Sequence, residues 1–189
     1  IKKIFTNKYF LILVILFFVG LGTFNMVTSY IEIILIPRGY SAEDAGFIGF
    51  VMLIGGIVGC VVMSALSDKY KKRKILIIAS VVITTVSLAI LSFTANELLL
   101  YLFGFFLGFG ILSAGPVALE YAVEVTAPVP EATSNGSLMW VGQIGGIIFI
   151  LGLEGFTTPT GDYFPALILL TIFALILVVL SLFLKDIEE

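Results

Sequence analysis

The stretch SALSDKYKKRK, residues 64–74, decides how this chain must fold. It carries Lys69, Lys71, Lys72, Arg73 and Lys74, half of the 10 lysines and arginines present. An uncharged, oily segment lies on each side, FIGFVMLIGGIVGCVVM (47–63) before it and ILIIASVVITTVSLAIL (75–91) after it. A helix that crosses the hydrocarbon core needs about 20 mostly apolar residues, because the core is about 30 Å thick and the helix rises about 1.5 Å per residue. A dense basic run between two such segments therefore marks a connector at the headgroups, with a membrane helix on either side.

Composition agrees. Of 189 residues, 60% are hydrophobic and only 12% are charged, against about 25% charged in a soluble domain. Too little polar surface exists to coat a water-soluble globule, so this is a membrane protein. The net charge of −3 matters less than where the charges lie. Cys60 is the one cysteine, so no disulfide can form within the chain. Histidine is absent, which removes the commonest metal ligand and the easiest proton shuttle. No metal site, cofactor or nucleic-acid partner is expected. No nucleophile–base pair, metal cluster or phosphate loop appears either, which argues against an enzyme.

Working outward from 64–74, six segments qualify as spans: about 9–36, 43–66, 75–95, 98–126, 132–153 and 165–184. Breakers separate them: Pro37 and Gly39, the charged run 67–74, Asn96, Pro128 with Pro130, and the TTPTGD turn (157–162). The leading IKKIFTNK is too short and too polar for a signal peptide. Opening on Ile1 in place of Met implies a trimmed start. If the spans alternate, Lys2, Lys3, Lys8, the five cations of 69–74 and Lys185 share one side, leaving Arg38 alone on the other. Both termini and the loop at Pro128 should then be cytoplasmic, in the plasma membrane.

Three carboxylates need an account on that side. Glu120 and Glu124 are four apart, hence on one helix face, and Glu131 opens the fifth span. They either reach water at the headgroups or form an ion-pair latch with the basic run. The latch would be a cytoplasmic gate built from Asp68, Arg73, Glu120, Glu124 and Glu131.

Midplane polarity points to a solute path. Gln143 lies about 18 Å along the fifth span from Glu131, where a lone amide is costly unless it faces a cavity or another helix. Trp140, the only tryptophan, sits one turn before it and serves either packing or the site. In the first span Thr23, Asn25, Thr28 and Ser29 form a polar patch. Hydroxyls can bond carbonyls of their own helix, so Asn25 alone demands a partner. Glu32 lies nearer the outer mouth. The candidate solute contacts are Gln143, Asn25, Trp140 and Thr28. Gly-x-x-x-Gly pairs at 55–59, 104–108 and 142–146 allow close helix approach. The 55–59 and 142–146 pairs are expected to border a partner half, and the 104–108 pair to pack internally. Gly115-Pro116 should kink the fourth span.

The run SALSDKYKKRK resembles the loop signature of the major facilitator superfamily, in which a small residue, an Asp and then basic residues join the second and third helices of each six-helix half. Ser64 and Ser67 stand where glycines are often found, followed by Asp68, Lys69 and 71–74. The resemblance implies an all-α membrane protein forming half of a facilitator fold. Its six transmembrane helices would make one bundle over 1–189 as two inverted three-helix repeats, about 9–95 and 98–184. The expected partners are an N-terminal six-helix half (in the same chain or a second copy), membrane lipid and a small-molecule solute.

The stretch GPVALEYAVEVTAPVPEATSNGSLMWVGQIGGIIF (115–149) further resembles the tenth and eleventh helices of the feline leukaemia virus subgroup C receptor-related transporters. The matching residues include Pro116, Glu120, Glu124, Pro128, Glu131, Thr133, Ser134, Gly136 and Gln143. A weaker match covers GLGTFNMVTSYIEIIL (20–35). That resemblance implies the C-terminal half of a secondary transporter working by alternating access on choline-like or ethanolamine-like amines, with haem as another associated solute. It also implies that Gln143 helps to hold the cationic head. Asn25 falls where that family has an aromatic residue, and a quaternary-ammonium cage needs an aromatic face. Without histidine, haem ligation would fall to Met, Cys or Tyr, so haem is disfavoured. Two other readings stay open: a proton-coupled drug or metabolite exporter of the same superfamily, and a non-transporting scaffold or receptor.

Overall fold

The computed structural model describes residues 4–153, 155–158, 161 and 163–186. Lys2 and Lys3, used above for orientation, lie outside them. Six long helices follow one another: α1 Lys8–Leu35, α2 Ala42–Tyr70, α3 Arg73–Phe93, α4 Glu97–Thr126, α5 Glu131–Leu153 and α6 Phe164–Leu182. A short 3-10 turn, Ile36–Arg38, joins α1 to α2. All six are long and apolar enough to cross a membrane.

Local chemistry sets the ends. Asn7 caps α1, its side-chain oxygen accepting from the Tyr9 and Phe10 amides at 2.9 and 3.4 Å. Ser41 and Asp44 cap α2 reciprocally, each side chain accepting from the other's backbone N–H, which satisfies donors that a helix start leaves open. Asn96 does the same for α4 through the Leu99 amide.

One boundary differs from expectation. α2 continues through Ser67, Asp68 and Lys69 to Tyr70 and stops where Lys71 turns left-handed at φ 55°. The charged run is thus mostly a last helical turn, and the connector to α3 is only Lys71 and Lys72. Charge marks the membrane boundary, whereas the backbone hydrogen-bond ladder marks the helix end, and these differ by one turn here.

α2 rests mainly on α4 and α5 mainly on α1, while α3 sits between α4 and α6. Glycines make the two main seams. Added side chains at Gly55 and Gly59 would strike the backbone of Phe105 and Phe109, and one at Gly145 would strike that of Phe18. The 55–59 and 142–146 pairs therefore serve packing inside this bundle. This corrects the expectation that they border a partner half; small residues go wherever backbones come closest.

Pro116 lies inside the continuous helix α4 and cannot donate to the carbonyl four residues back, that of Leu112. The Cys60 thiol of α2 donates to that carbonyl at 3.2 Å instead. The lone cysteine is thus placed as a weak donor to the backbone acceptor that the proline leaves free. Ser80 and Ser113 hydrogen-bond at 2.9 Å in the buried α3–α4 seam. Large apolar side chains such as Ile57, Val61, Leu151 and Phe183 remain exposed, as a lipid-solvated surface requires.

Candidate functional site

At the end of the bundle where α2 closes and α3 opens, Arg73 begins α3 and reaches across to α4. Its Nη1 lies 3.2 Å from Glu120 Oε2 and its Nη2 3.0 Å from Glu124 Oε1. The guanidinium side chain is only 12% exposed. A rigid fork can serve two carboxylates one turn apart in a way that a lysine point charge cannot. Ser67 Oγ donates to Glu120 Oε2 at 3.3 Å, so α2 joins the cluster.

Of the five residues expected to latch together, three meet: Arg73, Glu120 and Glu124. Asp68 is exposed on the outer side of α2 and makes no ion pair among the described residues. Its neighbour Ser67 faces the carboxylates instead, a consequence of α2 remaining helical there. Glu131 is also exposed and accepts only a long bond from Asn135 Nδ2, at 3.4 Å. Two further ties at this end had no signal in the sequence. Tyr121 Oη donates to the Lys185 carbonyl at 2.9 Å, and Lys74 pairs with Asp186 at 3.0 Å.

The midplane candidates lie on α1 and α5, two helices that pack against each other. A side chain added at Gly146 would strike the Asn25 amide, so Asn25 sits against α5 one turn beyond Gln143. Gln143 is exposed, Asn25 is half-buried and Trp140 is 69% exposed. Neither amide has a side-chain hydrogen bond among the described residues. Thr28 differs, since its hydroxyl donates to the Phe24 carbonyl at 2.7 Å and so completes itself within α1. A half-open cavity of about 60 Å³ lies elsewhere, between α1, α3, α4 and α6, lined by Gly20, Thr23, Thr84, Ala114 and Gly115 among others. It is apolar and far below the several hundred Å³ of ordinary ligand pockets.

Six helices, each long and apolar enough to cross a membrane, define an integral membrane protein. Its fold resembles that of the solved nucleoside transporter NupG, with a TM-score of 0.79 at 18% identity over 95% of this chain and 44% of that one. The chain belongs to the Major Facilitator Superfamily, whose model matches residues 1–150. Among curated relatives, solute carrier family 49 member A3 of Xenopus tropicalis is 32% identical over 170 residues, 88% of this chain and 35% of that protein. The protein named choline/ethanolamine transporter flvcr2a, of Danio rerio, is 32% identical over 195 residues, 98% of this chain and 40% of that protein. The resemblance drawn from residues 115–149 is thereby supported across nearly the whole chain. This chain spans well under half the length of either relative.

Proposed function

We propose that this chain is the C-terminal half of a secondary transporter that moves a small organic ammonium solute by alternating access. The carrying observation is a pair of carboxamides without side-chain hydrogen bonds among the described residues, Gln143 on an exposed face of α5 and Asn25 on α1 against Gly146, one turn further along. Two amide oxygens suit a primary ammonium, which donates hydrogen bonds, better than a quaternary one, which donates none. Trp140, one turn away, supplies an aromatic face for the cation. Ethanolamine-like solutes are therefore favoured over choline, and both over haem.

In this reading the trios α1–α3 and α4–α6, about 9–95 and 98–184, are inverted repeats. The exchange of partners, α2 on α4 and α5 on α1, supports that symmetry. An N-terminal six-helix half covers the exposed face that carries Gln143. Both termini face the cytoplasm from the plasma membrane, as the lysine and arginine bias suggests. The Arg73–Glu120–Glu124 clamp then holds the cytoplasmic side of this half together.

Thermal-shift titration of the full-length protein in detergent tests the site. Ethanolamine should stabilise it more than choline does, and Gln143→Ala should weaken ethanolamine about ten-fold, the value of one good hydrogen bond to a charged group. Equal affinity in the wild type and Gln143→Ala would discard the site. Stabilisation by haem or a non-amine metabolite alone would discard the amine.

A further inference from the structure

A second feature at the basic end stands apart from the solute seam. Lys71, Lys72, Arg73, Lys74, Tyr121 and Asp186 line a cavity of about 270 Å³. Four consecutive cations face one small volume there. Arg73 is neutralised by Glu120 and Glu124 on its α4 side. Lys74 is matched only by Asp186, whose side chain is 66% exposed, so that pair is weak. Lys72 makes no ion pair among the described residues. No side chain caps the start of α3, so the first backbone N–H groups of this 21-residue helix have no side-chain acceptor. Both the backbone and the lysines there favour an anion.

The depth of the cavity selects the kind of anion. Ile75 is also part of its lining and is 54% exposed, and the apolar run of α3 begins at this residue. The cavity therefore spans the level where charged groups give way to hydrocarbon. An anion held there has a place for phosphate against the lysines and for acyl chains beside Ile75.

We propose that this cavity is a binding site for a phosphate group presented by an anionic membrane lipid. Lys72, Lys74 and the α3 amides receive the phosphate, and Asp186 is displaced from Lys74 as it enters. Clusters of basic side chains at the membrane surface gain about 1 kcal/mol per cation from anionic lipid, so two lysines together should change affinity by ten-fold or more.

The test uses the full chain in detergent, titrated separately with phosphatidylglycerol, phosphatidylcholine and inorganic phosphate while melting temperature and retained lipid are recorded by native mass spectrometry. Phosphatidylglycerol should stabilise and remain bound where phosphatidylcholine does not. The Lys72→Ala/Lys74→Ala variant should lose at least about ten-fold in affinity, while the Arg/Arg version keeps it. Lys69→Ala serves as the control: Lys69 Nζ lies 5.3 Å from the Tyr70 ring centroid and is not part of the lining. Stabilisation by inorganic phosphate alone, lost in the same double variant, would keep the phosphate site and move its source to the soluble pool. Equal losses in Lys69→Ala and the double variant, or equal stabilisation by phosphatidylcholine, would overturn the site.

Discussion

Two arginines hold opposite ends of α3, and they do so by different chemistry. Arg73, at the start of the helix, binds two carboxylates of α4 at 3.0–3.2 Å. Arg38, in the turn between α1 and α2, reaches the far end of α3 and donates to the carbonyls of Leu91, Thr94 and Ser92 at 2.6, 3.1 and 3.4 Å. Those carbonyls are the acceptors that a helix end leaves open, and a cation suits the negative end of the helix dipole. Tyr40 adds a bond to the Ala95 carbonyl at 2.7 Å. The first end is tied charge to charge, and its strength depends on ionic conditions and on anything that competes for a guanidinium. The second is tied to backbone carbonyls at a helix end, which carry no formal charge for salt to screen. In the transport cycle proposed above, rocking should loosen the first end and leave the second closed.

Removing Arg73 should show the largest effect. Arg73→Ala leaves Glu120 and Glu124 facing each other across one turn without a counter-charge, and should lower stability by about 2–3 kcal/mol, between the values for exposed and buried pairs. Melting of the variant in low-salt detergent measures this directly. Because the carboxylates are partly exposed, about 1 M salt should shrink the difference between wild type and variant appreciably. A salt-independent loss would mean that Arg73 acts by packing, and the contrast between the two ends would fail.

Arg38→Ala should cost less, about 1–2 kcal/mol, since part of the freed backbone can take up water. Its effect should be the same at low and high salt. A strong salt dependence here would erase the comparison from the other side. The smallest change is expected from Tyr40→Phe, under about 0.5 kcal/mol, because its bond to Ala95 lies at an exposed site. A larger loss would show that Tyr40, and not Arg38, is the principal tie at that end.

Much of the fold was legible in the sequence because lipid imposes a simple rule: backbone polar groups must be satisfied within each crossing segment. Spans, breakers and the clustering of cations follow from that rule, and the six helices lie within a few residues of where composition puts them. The candidate site was legible in part. The spacing of Glu120 and Glu124 placed both on one face, and Arg73 was one of several cations able to meet them. Which cation did so was not legible, nor was the role of Ser67 in place of Asp68. That choice depends on the rotation of α2, which is set by the approach of Gly55 and Gly59 to α4.

The sequence by itself determined that this chain is a six-helix membrane protein, where each helix begins and which end is basic, because these depend on local hydropathy, caps and charge. Only the tertiary structure decided which helices touch, that the paired glycines face inward, that Cys60 serves the carbonyl left free by Pro116, and that Arg38 closes the end of α3. Those outcomes rest on contacts between residues from about 50 to more than 120 positions apart, whose geometry follows from how neighbouring helices turn about their axes, and no local pattern encodes that turn.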